Sequence, residues 1–282
     1  MRRARPLRVV GRALLAALAA AFGCAAYIYL TLPDVRTLRT QDPATTAFME
    51  LREREALARG EKPRRVHRWV RYSRISPHLS RAVLVAEDSA FWQHDGVDYQ
   101  QLRESVEVNL ERMEFYRGAS TITQQLAKNL YLSPSKNPLR KGSELLIARR
   151  LEAELSKRRI LEIYLNVVEW GAGIWGAEAA ARTYFRKPAS DLTASEAALL
   201  AASLTSPRVF DPAHPSPRLR RRQQMVLRRM GAVTPPADAA PPQEPAGVPA
   251  DGAPASLPGE VLPLPPPGGH TPPGGPGRLQ FR

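Results

Sequence analysis

The residues able to do chemistry gather in Gly118–Glu144, GASTITQQLAKNLYLSPSKNPLRKGSE, and in a Glu87-Asp88 pair upstream. The 27-residue stretch holds adjacent amides, Gln124 and Gln125, four cations, Lys128, Lys136, Arg140 and Lys141, and one carboxylate, Glu144. Gly118-Ala119-Ser120 predicts a turn, and Thr121 with Gln124 three residues on predicts a capping box that opens a helix. At 100° per residue, Thr121, Gln124, Gln125 and Lys128 share one face, with Ile122, Leu126 and Leu130 on the other. A helix N-terminus with unpaired N–H groups, followed one turn later by a lysine, suits a phosphate-bearing ligand. An ordinary solvated face of an amphipathic helix accounts for the same spacing.

Asn137-Pro138 predicts the cap and first position of a second helix. There Arg140, Lys141 and Glu144 project together, Glu144 lying between the two cations. A surface salt bridge is the plain explanation. However, the same face continues into Ile147, Ala148, Leu151 and Leu155, an apolar stripe that must face inward. Charges at the head of such a stripe border a core or a cleft, where they are paired or bound to a ligand. Glu87 ends a helix that starts at Ser76-Pro77 and is apolar nearly all round at Leu79 and residues 82–86. On the helical wheel Glu87 lies at the edge of the inward stripe and Asp88 points away. A carboxylate so placed is either an arginine's ion-pair partner or a general base whose proton affinity burial has raised.

The elements that must hold these groups occupy only part of the 282 residues. Arg2, Arg3, Arg5, Arg8 and Arg12 precede 20 uncharged residues, 13–32, a run that just spans a hydrocarbon core as a helix. The arginine flank predicts a cytoplasmic N-terminus (1–12) and puts everything after residue 32 across the membrane. Residues 33–75 are expected as a juxtamembrane connector. Its basic segment with Trp69 and Tyr72 suits the lipid headgroup layer, or a solvated linker. Residues 76–232 read as almost wholly helical, with further starts at Ser156 and at the Thr193–Glu196 capping box, a helix over 177–185 and a basic amphipathic helix over 217–230. Residues 233–282 hold 15 of the chain's 27 prolines and 8 of its 18 glycines, a composition expected to be disordered.

The net charge is +14, although the tail carries four acids against two arginines, so the excess lies in the first 232 residues. It implies an anionic partner: nucleic acid, acidic lipid or a phosphorylated substrate. Topology removes nucleic acid, and the basic segments lack base-stacking aromatics. Cys24 is the only cysteine, which excludes an intramolecular disulfide and a cysteine-based zinc site. The histidines, at 67, 78, 94, 214 and 270, show no metal-ligand spacing. His94 reads as satisfying a local hydrogen bond.

Five segments together resemble the peptidoglycan glycosyltransferases in their single-domain, membrane-anchored form. EDSAFWQHDG at 87–96 is similar to the first family motif and GASTITQQLAKN at 118–129 to the second. RKGSE at 140–144 resembles the third, KRRILEIYLN at 157–166 the fourth, and GAGIWGAEAAARTYF at 171–185 the fifth. Ala119 stands where the family often has glycine, and Lys136 where it often has arginine. The resemblance implies an all-α, lysozyme-like fold that polymerises lipid II, the undecaprenyl-pyrophosphoryl disaccharide-peptide, with inversion into β-1,4 glycan. It implies that Glu87 is the general base, with Asp88 supporting it. Ser120, Gln125, Lys128, Lys136, Arg140 and Lys141 would hold the donor pyrophosphate, with Asn129 in support. Glu144 would steady that site as a second catalytic carboxylate, with a divalent cation, Mg2+ or Mn2+, as its implied cofactor. Arg158, Glu162, Tyr164 and Asn166 would brace the cleft. The implied partners are lipid II, the growing strand, membrane lipids and proteins of cell-wall synthesis or division, at a bacterial inner membrane. A lytic enzyme of the same fold would need no basic cluster, and a non-catalytic scaffold would need neither glutamate.

Overall fold

The computed structural model describes residues 4–112, 120–132 and 138–232. The Gly118-Ala119 turn, Lys136, the Asn137 cap and the tail 233–282 lie outside the described residues. Helix α1 (Ala4–Thr31) precedes a 3-10 turn at Arg36–Arg39 and helix α2 (Ala47–Ala58). Strand β1 (Val66–His67) leads to α3 (Pro77–Glu87), α4 (Tyr99–Arg112), α5 (Ile122–Tyr131), α6 (Pro138–Glu154) and α7 (Lys157–Val167). Strands β2 (Glu169–Gly171) and β3 (Ile174–Trp175) precede α8 (Ala177–Phe185), α9 (Ala194–Ser203) and α10 (Pro217–Arg229).

The helix starts sit where the side-chain oxygens fall. Ser76, Ser156 and Ser216 each accept a backbone N–H at the head of α3, α7 and α10, and Thr121 and Thr193 complete reciprocal capping boxes with Gln124 and Glu196. Helix α3 is buried at Leu79 and from Ala82 to Val85, and it packs on α9, which in turn packs on α10. On the other side α5 packs against α6, α7 and α2. Ile147, Ala148, Leu151 and Leu155 of α6 face the core, as their 3.6-residue spacing requires.

Two expectations need correction. The domain is mainly helical but not all-α, because β1, β3 and β2 form a small sheet in that order. β1 pairs with β3 in parallel, Val66 opposite Ile174 and His67 opposite Trp175, and β2 pairs with β3 antiparallel. Strands of two or three residues are too short to show a period of two in the sequence. The segment Gly171-Ala-Gly-Ile-Trp-Gly176 has the spacing Gly-x-Gly-x-x-Gly, but it forms this hairpin and the cap of α8 rather than a phosphate loop. Gly176 has φ +83°, and a Cβ there would lie 2.5 Å from the Asn166 carbonyl oxygen, so both the angle and the space demand glycine.

The second correction concerns 33–75, which is no loose connector. Val35, Leu38, Met49, Tyr72 and Ile75 belong to the same core as α3, α5 and α7, and Met49 is fully buried. Half-buried Trp69 packs on that core with the Arg159 guanidinium 5.5 Å from its ring centre, and Tyr72 is buried, so Tyr72 is not free for a headgroup layer. Asn166 holds the segment down: its amide accepts from Val70 N–H and donates to Val70 C=O, both at 2.9 Å. Glu162 accepts the Tyr72 N–H at 2.7 Å, and Arg158 lies 5.2 Å from the centre of the Tyr72 ring. These three residues fasten Val70 and Tyr72 to α7. The anchoring partners lie about 90 residues away, a separation at which local patterns carry no signal.

Helix α1 covers nearly all of the uncharged run in one 28-residue element. Among the described residues, no helix is long and apolar enough to cross a membrane. The side chains of 4–10 and of several positions between 21 and 29 lie outside that description.

Candidate active site

The site is built where the C-terminal end of α3 meets the N-terminal end of α5. Asp88 leaves the helix in a non-helical conformation, φ −161° and ψ 80°, so the helical wheel that pointed it outward no longer applies. It is instead 2% exposed. Its carboxylate accepts the Ile122 N–H at 2.9 Å and contacts His94 Nε2 at 3.0 and 3.1 Å. A carboxylate against the first free N–H groups of a helix is favoured by the helix dipole and by hydrogen bonding together. Thr121 adds a hydrogen bond from its hydroxyl to the Gly96 carbonyl at 2.7 Å, fixing the loop after α3 to the start of α5. With its oxygens engaged, Asp88 holds the frame in which Glu87 sits, and His94 has the local role its sequence position suggests.

Glu87 is half-buried and its Oε2 accepts a hydrogen bond from Gln125 Nε2 at 2.8 Å. Burial pushes its carboxyl above the usual carboxylate range, and the neighbouring Asp88 adds to that. The Gln125 hydrogen bond and the charges of Arg222 and Lys128 act in the opposite sense. The Gln125 amide thus links the candidate base to α7. Its carbonyl oxygen accepts the Tyr164 hydroxyl at 2.9 Å. Asn129 donates to the backbone carbonyl of Gln125 at 2.8 Å, an internal support of α5.

The cationic cluster forms at the head of α6. Glu144 is 3% exposed, and its two oxygens meet Arg140 Nη1 at 2.9 Å and Lys141 Nζ at 2.5 Å. Lys141 also donates to Ser120 Oγ at 3.1 Å, so the entrance to α5 and the first turn of α6 share one cation. A buried carboxylate between two cations neutralises only one of them, and the surplus charge stays available to an anion. Lys128 joins the two halves. Burial lowers the proton affinity of its ammonium group, as do Arg140 and Lys141, while Glu144 and Glu87 raise it. Its ammonium also lies 5.7 Å from the centre of the Phe48 ring, supplied by α2.

The donor set at Glu144 does not fit a cation held by protein ligands. Both carboxylate oxygens are taken by cations, and among the described residues no group of three His, Cys, Asp or Glu side chains comes together.

The structure therefore brings Glu87, Gln125 and Lys128 together on one side and Ser120, Arg140, Lys141 and Glu144 on the other. Phe48 and Arg222 are additions that the sequence pattern missed as parts of the site, and Tyr164, expected only as a brace of the cleft, reaches Gln125 directly. Tyr164 carries a faint signal, a lone hydroxyl on a helix face otherwise filled by Ile160, Leu161 and Ile163. Arg222 is one of six arginines in α10, with nothing to separate it from its solvated neighbours.

Residues 53–231 match the family described as Transglycosylase. A biosynthetic peptidoglycan transglycosylase of Aromatoleum aromaticum is 50% identical over 195 residues, 69% of this chain and 84% of that protein. One from Laribacter hongkongensis is 47% identical over 192 residues, 68% of this chain and 84% of the relative. A third, from Chromobacterium violaceum, is 45% identical over 222 residues, covering 78% of this chain and 96% of the relative. A family match over 179 of the 282 residues, with relatives of this identity and coverage, means that the chain belongs to the transglycosylase family.

Proposed function

We infer that the protein is a peptidoglycan glycosyltransferase that polymerises lipid II into β-1,4 glycan for bacterial cell-wall synthesis. The observation that carries this reading is the pairing of a carboxylate of raised proton affinity with a cluster holding more positive than negative charge, joined through Lys128. Glu87 takes the proton from the 4-hydroxyl of the acceptor sugar as that oxygen attacks the anomeric carbon of the growing strand. The bond from the anomeric carbon to the pyrophosphate oxygen breaks, and the leaving undecaprenyl pyrophosphate keeps the electron pair. Negative charge grows on that leaving group in the transition state. Lys128, Arg140 and Lys141 are preorganised to meet it, with Ser120 and Glu144 holding Lys141 in place. Lys136, from the same basic stretch, is assigned to this site on the resemblance alone. Incubating purified protein with labelled lipid II is expected to yield a polymer that lysozyme degrades. Failure to consume lipid II, or cleavage of preformed glycan instead, overturns the reading.

The same reading includes a membrane anchor at residues 13–32, with the N-terminus cytoplasmic and the catalytic domain outside. Its support is the 20-residue uncharged run, nearly all of it within one helix, the five arginines ahead of it and the exposed side chains of Leu14, Leu15, Leu18, Phe22 and Leu30. Helix α4 adds a second apolar stripe, exposed at Tyr99, Leu102, Val106 and Leu110, which suits contact with lipid or with a polyprenyl tail. A reporter that works only outside the cytoplasm, fused after Ala232, is expected to be active. Activity there of a reporter confined to the cytoplasm sinks the assignment.

A further inference from the structure

The hydroxyl of Tyr164, on α7, reaches the Gln125 amide that contacts the candidate base. Tyr164 has no exposed surface, and burial pushes its phenol well above the ordinary range, so it stays protonated across the working pH. Its hydroxyl donates to Gln125 Oε1 at 2.9 Å, and the other end of the same amide donates to Glu87 Oε2 at 2.8 Å. An amide has one accepting end and one donating end. Fixing the carbonyl on Tyr164 therefore compels the NH2 to face Glu87. An NH2 group can only donate, so it stabilises the carboxylate and disfavours the carboxylic acid.

We propose that Tyr164 is a positioning residue for the base: through the Gln125 amide it keeps a donor on Glu87 and so keeps that carboxylate ionised. The proposal rests on the reading of Glu87 as the base. Without the phenol, the half-buried Gln125 oxygen loses the donor that it has in this structure, and the amide is free to turn its oxygen toward Glu87. That orientation favours protonated Glu87. The other charged groups facing the carboxylate are Asp88 at the end of α3, Lys128 on α5 and Arg222 on α10. None of them is altered by the substitution, so a shift in the pH profile reports on the amide.

Tyr164→Phe keeps the ring and removes only the hydroxyl. The acid limb of kcat/KM for lipid II polymerisation is expected to move to higher pH by about half a unit to one unit, with most of the lost rate recovered in alkali. Gln125→Met is expected to move the limb in the same direction. The double variant should move it no further than Gln125→Met alone, because the two residues act in series. A Tyr164→Phe protein with a lower melting temperature, a uniform loss at every pH and an unmoved limb overturns the proposal. Additive shifts overturn the route through Gln125. If Tyr164→Phe does not fold, Gln125→Met decides: a shifted limb supports the proposal and an unmoved limb ends it. Failure of the base assignment looks different, since Glu87→Gln would then keep polymerising lipid II.

Discussion

Glu87→Gln is expected to abolish polymerisation, by about 10³-fold or more, in a protein that remains folded and still binds a pyrophosphate-mimicking inhibitor. Glutamine keeps the shape and can accept the Gln125 hydrogen bond, but it cannot take the acceptor's proton. The stability arm has a definite sign. Because Glu87 has its carboxyl pushed up in the folded state, its ionisation costs stability, and that cost grows as pH rises from the ordinary carboxylate range through the raised value. The neutral variant escapes this cost, so its melting temperature at neutral pH should be equal to or above that of the parent. If Glu87 were an ion-pair partner of Arg222, the variant would instead melt earlier and keep polymerising. Turnover, inhibitor affinity and melting temperature measured together separate the two. A stable Glu87→Gln protein with near-normal turnover removes the general base from the mechanism.

Lys128→Ala is expected to lower turnover by about 10²-fold or more, with the larger effect on kcat rather than on KM. The reason is its position between the two halves of the site, where it feels Glu144, Arg140 and Lys141 on one side and Glu87 on the other. Its ammonium is partly desolvated and repelled by two neighbouring cations, which disfavour its charge until a pyrophosphate is present. That is the arrangement of a group whose interaction strengthens in the transition state. Folding stability should change little, because the loss of attraction to Glu144 is offset by the relief of repulsion and desolvation. Steady-state kinetics on lipid II check the first point and thermal melting the second. A variant with normal kcat, weakened only at low substrate, would make Lys128 a ground-state binding residue.

These effects were legible in the sequence to different degrees, and the difference has physical causes. Capping boxes, proline at the first turn and the 3.6-residue stripe are local, so the starts of α3, α5, α7, α9 and α10 and the inward face of α6 follow from neighbours in sequence. The meeting of Arg140, Lys141 and Glu144 was equally readable, since all three lie within four residues on one helix. The side chain of Glu87 could be assigned to the edge of a buried helix for the same reason. Asp88 could not, because the wheel assumes that the helix continues through it, whereas α3 ends at Glu87.

Tertiary structure alone decided what surrounds these groups. Tyr164 reaches Gln125 from 39 positions away, Ile122 caps the Asp88 carboxylate from 34, and Phe48 comes to Lys128 from a stretch that looked like a tether. The sheet of two- and three-residue strands exists because β1 is laid beside the β2–β3 hairpin and Asn166 clamps Val70, not because any strand has a pattern of its own. Helix boundaries and charge clusters arise from interactions within a turn or two of chain, which sequence spacing records. The proton affinity of Glu87 depends on burial and on partners brought by α5, α7 and α10, and no spacing rule contains those distances.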